Sequence, residues 1–213
     1  MKIKNIFFDL DGTLSDSAEG IINCATLALE YFKLPIPKRE EMQVFIGPPL
    51  RDTFVKFGVD KAQAEKAVEV YRSRYVPIGM YETKLYSGVK EMLKELKSKG
   101  YNLYVATSKP EEMSVKIMKY LGIYEYFDLV CGATLDKSRD SKADVIAYLL
   151  EKIKVKNAIM VGDTAFDVVG ANEHGIKTVG VSWGYGNVEE MLKCGAVQIA
   201  DTTEELVKIL EKF

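Results

Sequence analysis

Short apolar runs alternate with amphipathic helical stretches along most of this chain, and that alternation constrains the fold more than any other feature. Strands joined through helices lie parallel, because each crossover returns the chain to the same end of the sheet. The pattern predicts an α/β fold, in which a doubly wound parallel sheet carries helices on both faces. The predicted strands are 3–9, 102–107, 127–131, 157–162, 176–182 and 196–200. The predicted helices between and after the later strands are about 87–99, 110–121, 141–153, 165–174 and 202–212.

One long segment interrupts this alternation. From about residue 16 to 82 the sequence has helical patterns and no convincing strand, which is far more chain than a crossover needs. We therefore predict an α/β core domain at 1–15 and 83–213 and an inserted all-helical domain at 16–82. Helices that simply pack on the sheet are the alternative. The predicted helices of the insert are 17–32, 38–45, 49–57 and 61–76.

The composition excludes several kinds of partner. The chain has 31 acidic and 29 basic side chains and a net charge of −2, so nothing favours a nucleic acid polymer or an anionic membrane. No apolar run approaches the roughly 18 to 20 residues of a membrane span, and the N-terminus does not resemble a signal peptide. The three cysteines fit no disulfide framework or metal-ligand spacing. We expect a cytoplasmic protein, with a monomer as the simplest state.

Polar residues with useful chemistry follow the predicted strands, where ligands bind in open α/β sheets. Carboxylates hold hard cations such as Mg²⁺, and a lysine with the metal would neutralise a phosphate dianion. One carboxylate could then attack phosphorus, and a second, two residues further on, could act as general acid and base. The set predicts phosphoryl transfer. It consists of Asp9 and Asp11 after the first strand, Thr107, Ser108 and Lys109 after the second, Lys142 after the third, and Asp163 and Asp167 after the fourth.

Each of these residues also has an ordinary structural interpretation. Acids that follow a strand often only cap a helix or a turn, Thr107 could belong to a turn, and Lys142 could be surface charge. Their joint occurrence at the ends of successive strands favours the functional interpretation. The single histidine, His174, precedes Gly175 at a predicted helix end and is interpreted as a capping residue.

The motifs resemble those of the haloacid-dehalogenase-like superfamily, in the same order along the whole chain. Residues 8–14 read Phe-Asp-Leu-Asp-Gly-Thr-Leu, which resembles the first motif. Thr107 resembles the second motif, Lys142 the third, and the run 162–167 the fourth. The third motif often contains Lys-Pro, whereas Ala143 follows Lys142 here, so Lys137 and Arg139 are nearby alternatives.

The resemblance implies a Mg²⁺ cofactor and a role for each motif residue. Asp9 would be the nucleophile and a metal ligand, and Asp11 the general acid and base, with its backbone carbonyl also facing the metal. Thr107 and Lys142 would hold the phosphoryl group. Asp163 would bind the metal, and Asp167 would bind it or orient the metal shell or Lys142. The insert at 16–82 resembles a mobile cap, which would exclude water on closing.

Individual residues narrow the branch of the superfamily. Asp11 argues against dehalogenases and phosphonate-cleaving relatives, which lack this second aspartate. The stretch 16–22 lacks the histidine of β-phosphoglucomutase-like members. The stretches 45–50, 105–110 and 183–186 look like phosphoglycolate-phosphatase-like proteins, and at least as much like a sister group of 5′-nucleotidases.

The candidate substrate-binding residues are Thr107, Ser108, Lys109, Gly47 and Arg51, although Gly47 could instead mark a bend between helices. Trp183 and Tyr185 could stack on a base or merely cover the sheet edge. The sequence thus predicts a Mg²⁺-dependent phosphatase for a small phosphorylated metabolite, acting through an aspartyl phosphate. A 5′-nucleotidase is the alternative. A non-enzymatic phospho-switch like a receiver domain, and a protein that lost turnover, are less favoured.

Overall fold

A parallel sheet of six strands forms the centre of the fold. The computed structural model describes residues 3–136 and 138–213. Neighbouring strands follow the order β5-β4-β1-β6-β7-β8 and all their pairings are parallel, which confirms the predicted doubly wound sheet. In chain order the strands are β1 (Asn5–Phe8), β2 (Ser15–Asp16), β3 (Lys84–Leu85), β4 (Asn102–Pro110), β5 (Leu129–Ala133), β6 (Ala158–Gly162), β7 (Lys177–Val181) and β8 (Gln198–Ala200); β2 and β3 form a separate two-stranded sheet.

The helices follow the predicted periodicity with a few differences. The predicted helix at 38–45 is a 3₁₀ helix at Glu41–Phe45, and the one predicted at 61–76 begins with a 3₁₀ turn at Lys61–Gln63. Among the described residues, no helix combines the length and apolar character needed to cross a bilayer. The α-helices are α1 (Ala18–Tyr31), α2 (Leu50–Lys56), α3 (Ala64–Tyr75), α4 (Val89–Ser98), α5 (Glu111–Tyr120), α6 (Lys142–Ile153), α7 (Ala165–Asn172), α8 (Val188–Lys193) and α9 (Thr203–Leu210).

The central strand β1 is apolar throughout its middle because both faces of the sheet are covered. Ile6, Phe7 and Phe8 have no exposed surface, and the Phe7 ring meets Tyr104 on β4 edge to face, with centroids 5.7 Å apart. Helix α6 packs on the same side through Ile146 and its apolar neighbours. Each such side chain contributes about 1.5–3 kcal/mol on burial, so β1 is a rigid support for the residues that follow it.

The chain divides into two compact units. One contains the parallel sheet and includes the chain up to Ser15 and from Leu85 to Phe213. The other, Asp16–Lys84, contains α1, α2, α3 and the 3₁₀ turns around them. Its interior is aromatic: the rings of Phe45 and Phe54 lie 5.0 Å apart, and those of Tyr71 and Tyr75 are stacked at 5.1 Å. The function of this helical unit as a cap stays a prediction.

The environments of the three thiols predict unequal reactivity. Burial raises the pKa of Cys24, and it raises the pKa of Cys131 to about 12, whereas Cys194 is partly exposed. Thiolates are the reactive species, so we expect an aromatic disulfide reagent at pH 8 to label Cys194 first. The other two thiols should react at least ~100-fold more slowly, through local opening of the fold. Rapid labelling that persists in Cys194→Ser would contradict this expectation.

Candidate active site

The candidate residues come together because they follow three adjacent strands. Strand β1 lies between β4 and β6, and the backbone N–H of Asp9 donates to the carbonyl of Val161 on β6 at 2.9 Å. Asp9 is therefore fixed directly beyond the end of β1. Thr107 lies near the end of β4, and Asp163 directly follows β6. The chain order along the sheet reverses around β1, which is where an open α/β sheet forms its binding crevice.

Three buried carboxylates and one lysine form the centre of this site. Asp9, Asp163 and Asp167 each present an oxygen, and these oxygens lie within 4.8 Å of one another. The Nζ atom of Lys142 lies 2.8 Å from Oδ1 of Asp9 and 2.7 Å from Oδ1 of Asp167, and it donates to the carbonyl of Ala106 at 2.9 Å. The lysine thus bridges two of the three acids and ties them to β4.

Lys142, the residue assigned to the third motif, contacts the carboxylate cluster, whereas Arg139 has other partners. Arg139 donates to the carbonyl of Gly132 and to the carboxylate of Glu111, and its guanidinium lies 3.8 Å from the centre of the Tyr148 ring. Lys137 lies outside the described residues. Ser141 caps α6, so Lys142 is the first residue of a helix, where positive charge opposes the helix dipole. Breaking this local rule is typical of a functional site.

The acids repel one another, and their pKa values reflect it. Burial, followed by repulsion from Asp167, raises the pKa of Asp9 to about 6, although Lys142 opposes this rise. Burial, with repulsion from Asp167 and Asp9, raises the pKa of Asp163 to about 8. Burial alone would lower the pKa of Lys142, but attraction to Asp167 and Asp9 outweighs it and raises that pKa. The single positive charge of Lys142 therefore does not offset the burial and mutual repulsion of the acids.

Asp163 is held by a network that the sequence did not reveal. Thr13 Oγ1 donates to Oδ1 of Asp163 at 3.1 Å, and the backbone N–H of Tyr185 donates to Oδ2 at 2.9 Å. Trp183 Nε1 donates to the carbonyl of Thr13 at 3.0 Å, which ties the loop at 183–186 to the first motif. Both interpretations of Trp183 and Tyr185, stacking on a base and covering the sheet edge, stay predictions. In the sequence, only the two closely spaced glycines Gly184 and Gly186 could have indicated this contact. A Cβ on either glycine would collide with Asp163.

Asp167 has a double role in the local structure. Its Oδ2 accepts hydrogen bonds from the backbone N–H and the hydroxyl of Thr164, at 3.0 and 2.9 Å, which forms a capping box at the start of α7. Its other oxygen faces Lys142. A Cβ on Gly162 would lie 2.3 Å from Cγ of Asp167, so this glycine makes room for the carboxylate. The capping interpretation and the site interpretation therefore both apply to Asp167.

Asp11 lies outside the cluster of three carboxylates. Its Oδ2 lies 2.6 Å from Nζ of Lys109. Thr107 is buried and its Oγ1 accepts a hydrogen bond from the backbone N–H of Lys109 at 3.2 Å, while Ser108 is partly exposed. The predicted contact of the Asp11 backbone carbonyl with a metal stays a prediction.

Two of the candidate substrate-binding residues lie in the helical unit. Gly47 and Arg51 belong to the helical unit; Gly47 has φ +98° with open space around it, and Arg51 pairs with Glu65 at 2.9 Å. Their contact with a substrate stays a prediction.

His174 Nε2 lies 2.9 Å from the carbonyl of Ala143, so this imidazole joins the end of α7 to the start of α6.

Gly12 offers a test of how tightly the first motif surrounds Asp163. Gly12 has φ +88°, and an added Cβ would lie 2.2 Å from Oδ2 of Asp163. Gly100 has a similar φ of +79° but nothing within 4 Å of its Cβ position. We expect Gly100→Ala to cost about 1–2 kcal/mol from backbone strain alone. Gly12→Ala should cost at least ~2 kcal/mol more, because Asp163 must move. Denaturant unfolding of both variants measures the difference, and equal losses would contradict the crowding.

Comparisons with known proteins identify the relatives of this chain. The haloacid dehalogenase-like hydrolase family matches residues 6–181. The tyrosine-protein kinase PtkA of Mycobacterium tuberculosis is 38% identical over 209 residues, covering 96% of this chain and 72% of that protein. A 5′-nucleotidase of Pseudomonas aeruginosa is 37% identical over 194 residues, covering 90% and 88%. A phosphoglycolate phosphatase of Aquifex aeolicus is 34% identical over 212 residues, covering 97% and 96%.

The fold is also found in solved structures. The crystal structure of a predicted phosphatase from Clostridium acetobutylicum is 36% identical and superposes with a TM-score of 0.95 over the full length of both chains. The family match spans the strands from β1 to β7, and with them all the acids and the lysine of the site. The chain therefore belongs to the haloacid dehalogenase-like hydrolase family.

Proposed function

We propose that this chain is a Mg²⁺-dependent phosphatase, which transfers the phosphoryl group of a small phosphorylated metabolite to Asp9 and then to water. The observation that carries the proposal is the buried cluster of Asp9, Asp163 and Asp167, bridged by Lys142. Relatives named 5′-nucleotidase and phosphoglycolate phosphatase support the same reaction class. A cytoplasmic location and a monomeric state are part of the proposal.

The donor set fits a divalent cation. With every group ionised, the three acids of the cluster carry three negative charges and Lys142 carries one positive charge. One Mg²⁺ ion, which prefers carboxylate oxygens as ligands, would balance the remaining two negative charges. Burial is the main cause of the raised pKa values of Asp9 and Asp163, and repulsion from Asp167 adds to it, so a cation between these acids would favour their ionised forms. We propose Asp9, Asp163 and Asp167 as the side chains that hold it.

The residues then suggest a two-step reaction. When bound, Mg²⁺ would neutralise charge on the phosphate oxygens. An oxygen of Asp9 attacks phosphorus, the bond from phosphorus to the leaving oxygen breaks, and Asp11 gives that oxygen its proton. Asp11 then takes a proton from water as the water oxygen attacks phosphorus. The bond from phosphorus to Asp9 breaks, inorganic phosphate leaves, and both aspartates return to their initial state.

The electrostatic role of the lysine follows from its position. Lys142 Nζ is fixed by two carboxylates and by the carbonyl of Ala106, so its charge needs no rearrangement when phosphate arrives. Such preorganised charge in a buried site is typically the largest contribution to catalysis. Thr107, buried at the end of β4, offers a hydroxyl to the same phosphoryl group.

Sugar phosphates and two other substrate classes remain in the proposal. A small phosphorylated acid such as phosphoglycolate is the first, and a nucleoside monophosphate is the second, supported by the P. aeruginosa relative. The kinase name of the M. tuberculosis relative makes ATP a necessary member of the panel. The candidate residues for specificity are Ser108, Lys109, Gly47 and Arg51.

A panel of phosphorylated metabolites and 4-nitrophenyl phosphate, assayed with Mg²⁺ and with a chelator, tests the proposal. We expect phosphate release that needs the metal. Absence of release from every compound, or release that the chelator leaves unchanged, would contradict it. Rapid quench with a ³²P-labelled substrate separates the phospho-switch alternative. An acyl phosphate that turns over within seconds supports the enzyme, whereas one that persists for hours supports the switch.

A further inference from the structure

A second ion pair lies beside the carboxylate cluster, and the reaction described above uses its aspartate but not its lysine. Lys109 Nζ and Asp11 Oδ2 are 2.6 Å apart, and their side chains are only 8% and 11% exposed. Buried ion pairs with good geometry fix the position of both partners, because breaking the pair leaves a charge without compensation. Asp11 Oδ1 is also buried and has no hydrogen-bond partner among the described residues.

The backbone around Lys109 is shaped to make this contact. The pairing of β4 with β5 is regular through Thr107 and resumes at Pro110, so the two residues between them form a bulge. Within it the N–H of Lys109 donates to Thr107 Oγ1, and Pro110 caps the start of α5. Bulges commonly redirect a side chain next to an active site. Here Lys109 is held at both its backbone and its side-chain end.

We propose that Lys109 is a positioning residue for Asp11, a role that rests on the proposed phosphatase function. Lys109 Nζ holds Oδ2, whereas Oδ1 has no hydrogen-bond partner among the described residues, so Oδ1 is the oxygen available to exchange protons. In the first step the O–H bond at Oδ1 breaks and the proton goes to the leaving oxygen. In the second step Oδ1 takes a proton from the attacking water. Lys109 itself exchanges no proton and forms no bond to phosphorus.

This role differs from direct substrate binding, the earlier interpretation of Lys109. A residue that anchors substrate raises KM on truncation, similarly for every leaving group. A residue that positions the general acid lowers kcat, and most where the leaving oxygen is basic and needs a proton. Alkyl phosphates have such leaving groups, whereas 4-nitrophenyl phosphate has a stable leaving anion. The dependence on the leaving group therefore separates the two roles.

The kinetic test compares Lys109→Met with the wild type on both substrates. We expect kcat to fall about 100-fold on an alkyl phosphate and less than about 10-fold on 4-nitrophenyl phosphate, since general acid catalysis contributes roughly 10²–10⁴-fold. Lys109→Arg should recover most of the loss. Equal losses on the two substrates, or a rise in KM with kcat unchanged, would overturn the proposal. Lys97→Met removes a surface lysine that pairs with Asp128 at 2.9 Å and serves as the matched control.

A second readout needs no turnover. Melting midpoints of the wild type, Lys109→Met, Asp11→Asn and the double variant are measured in the presence of chelator. The four values form a double-mutant cycle, which gives the interaction between the two side chains. We expect the double variant to melt about 3 °C or more above the value obtained by adding the single shifts. Additive shifts would overturn the proposal. A wild type inactive on every phosphate ester would contradict the proposed function, and the melting cycle would still decide whether Lys109 holds Asp11.

Discussion

Replacing Asp9 with asparagine should reduce phosphatase turnover at least ~10⁴-fold while the protein stays folded. Asparagine has nearly the same shape but is a poor nucleophile, and nucleophile removal commonly costs 10⁴–10⁶ in kcat. Steady-state release of phosphate with Mg²⁺ measures the loss. Asp60→Asn, which changes an exposed capping aspartate of the helical unit, is the matched control and should retain activity.

The stability of the same variant gives an independent check. The pKa of Asp9 is about 6 in the folded protein, above its ordinary value of 3.8. A carboxyl whose pKa is higher in the folded than in the unfolded protein stabilises the fold when the pH is below the unfolded-state pKa. That contribution is lost as the pH rises through the folded-state pKa of about 6. Without metal at pH 7.5, Asp9→Asn should therefore be at least as stable as the wild type in denaturant unfolding. Turnover that survives in a folded Asp9→Asn protein would exclude Asp9 as the nucleophile.

The sheet and the gathering of the acids were predictable because both follow from periodicity. An apolar run such as 157–162 indicates a buried parallel strand, and the carboxyl ends of parallel strands meet at one edge. Asp9, Thr107 and Asp163 therefore had to lie near one another once β4, β1 and β6 were adjacent. The resemblance of the motifs assigned Lys142 to the same edge, and the structure places its Nζ between Asp9 and Asp167.

The details that the sequence did not reveal depend on backbone geometry rather than on periodicity. The contact between Lys109 and Asp11 depends on the bulge after Thr107, and nothing in the local apolar pattern indicates a bulge. The hydrogen bonds from Tyr185 to Asp163 and from Trp183 to the carbonyl of Thr13 come from a loop whose glycines allow close approach to Asp163. Helix α8 was not predicted because six residues are too few for a clear period.

Replacing Lys142 with methionine should have the largest effect on stability. The lysine side chain is 4% exposed and lies between Asp9 and Asp167, of which Asp167 is fully buried. Removing one partner of a buried ion pair typically costs about 3–5 kcal/mol, because the remaining charge has no compensation. We expect that loss in denaturant unfolding at pH 7.5 in the presence of chelator. Phosphatase turnover should fall at least ~10²-fold as well, since the preorganised charge is gone.

Two variants distinguish this electrostatic origin from lost packing. The double variant Lys142→Met with Asp167→Asn also removes one of the negative charges that lost its partner. It should therefore be more stable than Lys142→Met alone. Lys193→Met, which changes a lysine on the surface of α8 3.8 Å from Glu189, should have no measurable effect. If Lys142→Met loses less than about 1 kcal/mol, or if the second substitution restores nothing, the carboxylates do not depend on the lysine. In that case its charge would serve the substrate alone.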